Sequence, residues 1–338
     1  MQGSNQITRN KKLGDKGIEV LSTEIAQLKN LQNLNLNLES NLISESGIQI
    51  LIKKIAQSSL LTNLSLKLQE NNFGDTGAKL LGEELLNLKK SLKKLSINLG
   101  QKKNQTFQES KKLYQKRSNK LQSVGVCGFV QKISMLNQLS DLELNFEYNY
   151  LLHNDISVIV SCITQLRNLQ NLIKLKLGNN KIEDQGLASL SQQMQFWMNL
   201  QHLNLIINVT KITDAGVSEL SKGISKLIKL NSLEIDLEKN SIVNQGAISL
   251  GQSIRNLKNL QILSINLTYN IFCINKSYFK IFSDNQIFSY ITSEFIQCVS
   301  NQIGIKIYKL DKVQGYVEDT KFSRYRLERA YFISQYMV

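Results

Sequence analysis

The 338-residue sequence contains no proline, only four cysteines, two histidines and one tryptophan. The cysteines (Cys127, Cys162, Cys273 and Cys298) form no C-x-x-C pair, which excludes both a recognisable disulfide framework and a zinc motif. We therefore expect reduced thiols in an intracellular protein, with the cytoplasm as its compartment. The absence of proline suits short regular elements that use every backbone N–H. A compositional bias toward Asn, Gln, Lys and Ile explains that absence equally well.

Long apolar runs are also missing. The polar N-terminus, MQGSNQ, has no apolar core of a secretory signal, so we expect no such signal. The uncharged run of residues 259–275 is interrupted by Asn, Gln, Ser and Thr, which argues against a membrane span. Hydrophobic residues nevertheless make up 42% of the chain, enough for a sizeable core. The net charge of +14 favours acidic partners in general.

Catalytic motifs are absent as well. The sequence contains no G-x-x-x-x-G-K-[ST] phosphate loop and no kinase motif. Neither His153 nor His202 has a Cys, Asp or Ser at a spacing that indicates a catalytic site. Glu234, Asp236 and Glu238 alternate along one predicted strand, but an open face offers no pocket to shift their pKa values. We therefore predict no enzymatic activity, no cofactor and no metal site, and we regard a divalent ion at these carboxylates as a minor alternative.

What the sequence has is an internal repeat. Anchor residues recur at a spacing of 30, interrupted by one longer gap and one extra residue. The anchors are Gly17, Gly47, Gly77, Gly125, Asp155, Gly186, Gly216 and Gly246. Before Gly47 the chain alternates Leu34-x-Leu36-x-Leu38, followed by Asn41 and Ile43, and a similar pattern precedes the other anchors. In the fifth unit we assign the inward positions to Ile173, Leu175 and Leu177.

Each unit combines two periodicities. The alternating leucines predict a short strand with one buried face. After the anchor, apolar residues follow at spacings of three and four, as in Leu250, Ile254 and Leu257, which predicts an amphipathic helix. The anchor glycine fits either a helix start or a crowded turn with positive φ. Because no unit can bury its apolar faces alone, neighbouring units must stack.

This pattern resembles the leucine-rich-repeat family, and we identify its ribonuclease-inhibitor-like type over roughly residues 13–270. The resemblance implies an α/β solenoid, or horseshoe, with parallel strands on the concave face and helices on the convex face. It also implies that the Asn after each strand satisfies backbone groups of neighbouring turns. We predict a solenoid of about eight 30-residue units over residues 1–270. Because no apolar cap precedes Leu13, we expect either a weakly protected end or a longer natural protein.

A basic insertion interrupts the repeat. The distance from Leu95 to Gly125 is 30 residues instead of 13, so that 17 residues are inserted, and we assign them to residues 101–120. The basic residues of this loop are Lys102, Lys103, Lys111, Lys112, Lys116, Arg117 and Lys120. Two interpretations stay open: a docking arm for an acidic partner or phosphates, and a solvated loop that the fold tolerates.

The C-terminal region has a different composition. Residues 271–338 contain 14 of the 24 aromatic residues and no further anchor in register. The simplest interpretation is a C-terminal cap over the last repeat, with a short helix near residues 322–336. The alternative is an aromatic interaction surface.

The residues between the strand leucines should face the concave side, because side chains alternate along a strand. They form two acidic patches, one on the Glu143 strand and one on the Glu234 strand, with a basic pair on the strand of Lys174 between them. The predicted partner-binding residues are Glu143, Asn145, Glu147, Lys174, Lys176, Asn204, Glu234, Asp236 and Glu238. Such an arrangement could fix the register of a charged protein partner.

The sequence therefore predicts a scaffold that binds a protein through the concave face and adjoining loops. A nucleic-acid groove would need a continuous basic stripe, and the acidic patches argue against it. The fold resemblance implies two alternatives: a GTPase regulator like the Ran GTPase-activating proteins, and the recognition portion of a larger multidomain signalling protein. Against the first, the strongly acidic tail of those regulators is missing here. The identity of the partner is not encoded in any motif.

Overall fold

A computed structural model describes residues 13–101 and 121–270 and the backbone of residues 278–282. The strands of this part form one nine-stranded sheet in chain order, with β1 to β8 parallel. They are β1 Asn33–Asn37, β2 Asn63–Lys67, β3 Lys94–Asn98, β4 Asp141–Asn145, β5 Asn171–Lys176, β6 His202–Ile206, β7 Ser232–Asp236, β8 Ile262–Asn266 and β9 Tyr278–Phe282. The last strand, β9, pairs with β8 in the antiparallel direction.

A helix precedes each parallel strand. They are α1 Gly14–Ala26, α2 Glu45–Ile55, α3 Gly74–Leu85, α4 Ser123–Ile133, α5 His153–Thr164, α6 Glu183–Met194, α7 Asp214–Ile224 and α8 Asn244–Ile254. A short 3₁₀ turn at Leu86–Leu88 extends α3. Within the described residues, no helix is both long and apolar enough to cross a bilayer.

The alternating leucines pack as predicted. In β4, Leu142 and Leu144 are buried while Glu143 and Asn145 between them are half-buried on the other face. The inward side chains meet the apolar stripes of the helices, so that one continuous core runs through all units. Trp197, predicted to be a core residue, is buried beside this core and donates its indole N–H to Thr164 Oγ1 at 3.2 Å.

The two layers explain the horseshoe shape. Neighbouring strands lie about 4.8 Å apart, whereas packed helices need about 8–10 Å. Stacked units must therefore fan apart on the helix side, which makes the sheet the concave face. The parallel sheet, the helix layer and the shared core confirm the predicted leucine-rich-repeat solenoid.

The asparagines that follow most of the strands form a ladder, and Thr210 stands at the equivalent position after β6. Asn71 Oδ1 accepts hydrogen bonds from the backbone N–H groups of Asn41 and Ile43 in the preceding unit, at 3.1 and 3.0 Å. Its Nδ2 donates to the carbonyls of Leu38 and Leu68 at 2.9 and 3.0 Å. Asn180, Asn240 and Asn270 repeat this arrangement. These bonds satisfy backbone groups that the turn would otherwise bury without partners.

The anchor glycines mark a second contact between units. They lie in the first turns of the helices, which confirms the helix start as the correct one of the two alternatives. Among the described glycines only Gly14 and Gly74 have positive φ, so the alternative of a positive-φ turn at the anchors was wrong. A Cβ on Gly216 would lie 2.3 Å from Asp184 Oδ1 of the preceding helix. The same close approach joins Gly125 to Asp75 at 2.2 Å. At Gly47, Gly125, Gly216 and Gly246 a carboxylate of the previous unit thus occupies the side-chain space. At Gly17, Gly77 and Gly186 the nearest atoms belong instead to Leu13, Phe73 and Ile182 of the same unit.

These aspartates connect successive helices through hydrogen bonds. Asp184 Oδ1 accepts from the backbone N–H of Thr213, the residue before α7, at 2.8 Å. Asp15, Asp75 and Asp214 make the equivalent bond to the next unit, each at 2.8 Å. Each carboxylate thus caps the following helix and stabilises the positive end of its dipole.

Asp155 is the exception that supports this explanation. It stands at an anchor position where other units have glycine, and the preceding unit has Ser123 at the position of Asp15, Asp75, Asp184 and Asp214. Ser123 Oγ donates to Asp155 Oδ1, and the backbone N–H of Leu152 donates to Asp155 Oδ2 at 2.8 Å. The carboxylate therefore comes from the other side of the interface, and no glycine is needed.

Strand β5 departs from the predicted alternation. Leu172, not Ile173, pairs with Leu142 and is fully buried, whereas Ile173 is 45% exposed. The register shifts there, because β5 has one more residue between its two buried leucines, Leu172 and Leu175, than the neighbouring strands have between theirs. This β-bulge restores the alignment of Leu175 with Leu144. The assignment of Ile173 to the core was therefore wrong.

Two predictions lie mostly outside the described residues. Of the basic loop, only Gln101 at its first position is described. Of the predicted C-terminal cap, only β9 is described, and it covers the edge of β8.

Candidate functional site: the concave sheet face

The predicted site residues lie in two rows across the concave face. One row contains Glu143, Lys174 and Glu234 at the middle of their strands. The other contains Asn145, Lys176 and Asp236 at the strand ends. All six side chains are half-buried, since neighbouring strands flank each of them. The sheet therefore brings the predicted residues onto one surface, with β4 and β7 roughly 14 Å apart at normal strand spacing.

The two lysines of the basic pair on β5 have different partners. Lys176 Nζ lies 3.6 Å from Glu147 Oε2. Lys174 is directly paired in backbone register with Glu143, whose carboxylate accepts from Ser96 Oγ at 3.0 Å. The basic pair therefore lies beside the first acidic patch, and one of its two lysines forms an ion pair with a carboxylate of that patch.

The acidic patch on β7 is different, because its charges mostly meet neutral groups. Glu234 Oε2 accepts from Asn204 Nδ2 at 2.9 Å. Asp236 Oδ1 accepts from Asn266 Nδ2 at 3.1 Å and from the backbone N–H of Glu238 at 3.0 Å. Among the described residues, only Glu238 has a cationic partner in this patch, Lys239 at 2.8 Å.

Burial raises the pKa of Asp236 above its usual value, and the neighbouring charges of Glu238 and Glu147 raise it further. The hydrogen bonds from Glu238 and Asn266 act in the opposite direction without cancelling this shift. The ionised carboxylate is therefore less stable here than in water. A cation placed beside it would relieve that cost.

The strand-end residues also have a local structural role. Asn145 Oδ1 accepts from the backbone N–H of Glu147 at 2.9 Å, and Asp236 makes the same turn with Glu238. Asn37 and Asn98 do so in other units. An amide or carboxylate at this position closes an Asx turn as the chain leaves the sheet. The side chain of Asn145 therefore also stabilises the fold, which the sequence pattern did not indicate.

Sequence reasoning missed an aromatic and basic cluster on the rim beyond the strand ends. Lys239 Nζ lies 4.8 Å above the ring of Tyr269. Tyr148 has a raised pKa, caused mainly by burial and then by Glu147. Tyr148, Lys239 and Tyr269 each lie one residue before the ladder asparagine or its equivalent. Comparison of that single position across the repeats would have revealed the cluster.

The described thiols and histidines offer no activated chemistry. Burial raises the pKa of Cys127 to about 11, with a further contribution from Asp155, so the thiol is protonated at neutral pH. Burial also raises the pKa of Cys162. His153 begins α5, outside the sheet, and His202 begins β6, two residues before Asn204 on the same face of the strand. In the described ranges, no group of His, Cys, Asp and Glu is arranged to hold a metal ion.

Comparisons with known proteins identify no family for this chain. No protein-family model matches the sequence, and no curated protein matches it. Among solved structures, the chain is similar to an internalin from Listeria monocytogenes, with 19% identity and a TM-score of 0.34. That alignment covers 76% of this chain and 78% of the internalin. A likeness at this level carries no argument about function.

Proposed function

We propose that this protein is a non-enzymatic scaffold that binds a protein partner through the concave sheet face. The observation that carries the proposal is the acidic patch on β7, formed by Glu234, Asp236 and Glu238. Glu234 and Asp236 are half-buried carboxylates whose described side-chain partners are asparagine amides. Retaining the charge of Asp236 on the sheet costs free energy, since burial disfavours its ionised form.

A partner with a Lys- or Arg-containing segment would offset that cost. The patch presents three carboxylates along one strand, flanked by the neutral residues Asn204 and Asn266. A cationic side chain inserted between them would make charge-assisted hydrogen bonds in a partly desolvated setting. We therefore propose a basic protein segment as the partner's contact element. The remaining predicted residues, Glu143, Asn145, Glu147, Lys174 and Lys176, would supply the rim of the same surface.

The test is affinity capture from a lysate of the source cells with matched isosteric variants. The sheet variant carries Glu234→Gln, Asp236→Asn and Glu238→Gln. The control carries Glu19→Gln, Glu24→Gln and Glu45→Gln, which change the same net charge at exposed positions on α1 and α2. We expect partners retained by the wild type and the control to fall by about tenfold or more with the sheet variant. Equal capture by all three proteins would refute concave-face binding.

Two further assignments belong to this proposal. Each unit contains a full helix of 11 to 13 residues, which supports the ribonuclease-inhibitor-like type of repeat. Cys127 and Cys162 are free thiols, which supports an intracellular location. The division into a solenoid to residue 270 and a cap over residues 271–338 is likewise proposed, supported by the pairing of β9 with β8.

A further inference from the structure

The loops that join each helix to the next strand form one edge of the solenoid, and all of their charged side chains are basic. We call this the αβ edge. Its eight loops contain nine Lys or Arg residues and no Asp or Glu. In the last four loops, residues 165–170, 195–201, 225–231 and 255–261, the basic residues are Arg167, Lys226, Lys229, Arg255 and Lys258, all exposed.

Three large apolar side chains protrude among these cations. Phe196 is 59% exposed, Met198 is 64% exposed and Ile228 is 59% exposed. Side chains that line a groove lose much of their surface to its walls, so these values indicate protruding groups. Exposed apolar residues that cluster in this way mark interaction surfaces more often than isolated ones do.

The repeat register places these residues in one row. Arg167, Met198, Ile228 and Lys258 each lie four residues before the first residue of their strand. The row therefore has two apolar side chains at its centre and one cation at each end. The loops contact each other directly, since Lys229 Nζ donates to Asn199 Oδ1 at 2.9 Å and Asn259 Nδ2 donates to the carbonyl of Ile228 at 2.9 Å.

Stabilisation of the helices explains only part of this pattern. The αβ edge holds the C-terminal ends of the helices, where cations interact favourably with the helix dipoles. That effect gives no reason for Phe196, Met198 and Ile228 to stand in water. In the described part of the chain, the basic residues of the last four loops form no ion pair with a carboxylate. The surface thus offers free cations and free apolar groups together.

We propose that the αβ edge of the last four units docks onto an anionic lipid surface. The cations would lie at the headgroups, and Met198, Ile228 and Phe196 would enter the boundary between headgroups and acyl chains. A bilayer accepts protruding apolar side chains without a preformed groove. Nucleic acid would favour stacked aromatic rows, and an acidic protein segment alone would leave the apolar groups exposed. This surface is separate from the concave face, so its test does not depend on the proposed scaffold function.

The first test is cosedimentation of the full chain with phosphatidylcholine vesicles, with and without phosphatidylserine. The edge variant carries Arg167→Gln, Lys226→Gln and Lys258→Gln. The control carries Lys53→Gln, Lys181→Gln and Lys211→Gln, exposed positions away from the αβ edge. We expect binding only to vesicles with phosphatidylserine, roughly 100-fold weaker for the edge variant at about fivefold per cation. The control should bind like the wild type.

A second variant tests the apolar contribution. Met198→Ser with Ile228→Ser keeps every charge and should weaken vesicle binding by about tenfold or more, because both side chains lose apolar burial. Both positions are exposed, so thermal unfolding should match the wild type. Trp197 is buried in the core, whereas its neighbour Phe196 is 59% exposed, so Phe196→Trp places an exposed indole directly on this edge. Its fluorescence should fall when the vesicles contain brominated acyl chains.

Three outcomes would overturn the proposal. One is equal weakening by the edge variant and the control, which would indicate a general charge effect. Another is strong vesicle binding without quenching of the indole introduced by Phe196→Trp, which would place the contact elsewhere in the chain. The third is binding to polyglutamate or duplex DNA that is as tight as binding to vesicles and insensitive to the Met198→Ser and Ile228→Ser changes.

Discussion

At the scale of single residues, the ladder asparagines carry more of the stability than their polar character indicates. Asn71 is fully buried and makes hydrogen bonds to backbone groups of two units. Its neighbour in the sequence, Asn72, is exposed. The two residues are chemically identical, so they form an internal control for the cost of removing a buried amide.

Asn71→Ala should lower the free energy of unfolding by about 3 kcal/mol, because it leaves buried N–H and C=O groups without partners. Asn72→Ala should change it by no more than about 0.5 kcal/mol. Chemical denaturation followed by circular dichroism measures both values. Similar small effects of the two substitutions would show that water replaces the amide and that the ladder contributes little.

Asp236 provides a prediction about pH. Because its pKa is raised in the folded chain, the folded state holds the proton more tightly than the unfolded state, whose reference pKa is 3.8. The wild type therefore loses stability as the pH rises from 3.8 through the raised value, and that loss persists at neutral pH. Asn at this position keeps an oxygen for Glu238 and Asn266 but carries no charge.

We therefore expect Asp236→Asn to be more stable than the wild type at pH 7, with the advantage disappearing below pH 3.8. Denaturation midpoints across this pH range measure the difference. Glu24→Gln on exposed α1 is the matched control and should show no such trend. A variant less stable than the wild type at pH 7 would mean that the ionised carboxylate stabilises the Asx turn.

At the scale of elements, each helix depends on the one before it. The methyl group of Gly216→Ala would collide with Asp184, whose carboxylate binds the N–H of Thr213. Alanine favours helices over glycine by about 1 kcal/mol, so propensity alone predicts stabilisation. We expect the opposite, a loss of about 1–3 kcal/mol, because the aspartate has little room to move.

A double-mutant cycle separates the two effects. In an Asp184→Ala background the carboxylate is absent and only the Cα of residue 184 remains close to the added methyl group, at 3.0 Å, so Gly216→Ala should cost clearly less. The measurement is the coupling energy from four unfolding curves. A coupling near zero would mean that the glycine serves another purpose and that the aspartate merely lies nearby.

This contact also shows where sequence reasoning stops. The 30-residue spacing of leucines and glycines can be read along the sequence, so it revealed strands, helices and their parallel stacking. The reason for Gly216 lies in Asp184, one unit away, and only stacking makes them neighbours. Similarly, Leu172 and Ile173 are equally apolar, and the choice between them depends on the register of the flanking strands.

On the concave face, too, some features follow from the local sequence and others only from the stacking of units. Alternation placed Glu143, Lys174 and Glu234 on one surface correctly, because side-chain direction is local. The ion pair of Lys176 with Glu147 could not be read from the sequence, since it depends on side-chain reach across a strand boundary. The charge of the αβ edge was visible in composition only as part of an overall excess. Its concentration appears when the loops are stacked.

At the scale of the whole molecule, every unit buries its apolar surface against two neighbours, and stability should therefore spread along the solenoid. Leu205 in β6 is fully buried at the centre of the described units, whereas Leu34 in β1 is only partly buried. Leu205→Ala should cost about 2–5 kcal/mol, and Leu34→Ala clearly less, because the cavity at the end can relax. Hydrogen exchange should show lost protection in β5, β6 and β7 for Leu205→Ala, decreasing with distance along the sheet. Uniform loss of protection from β1 to β8 would instead mean that the solenoid unfolds as one cooperative block, with no nearest-neighbour character.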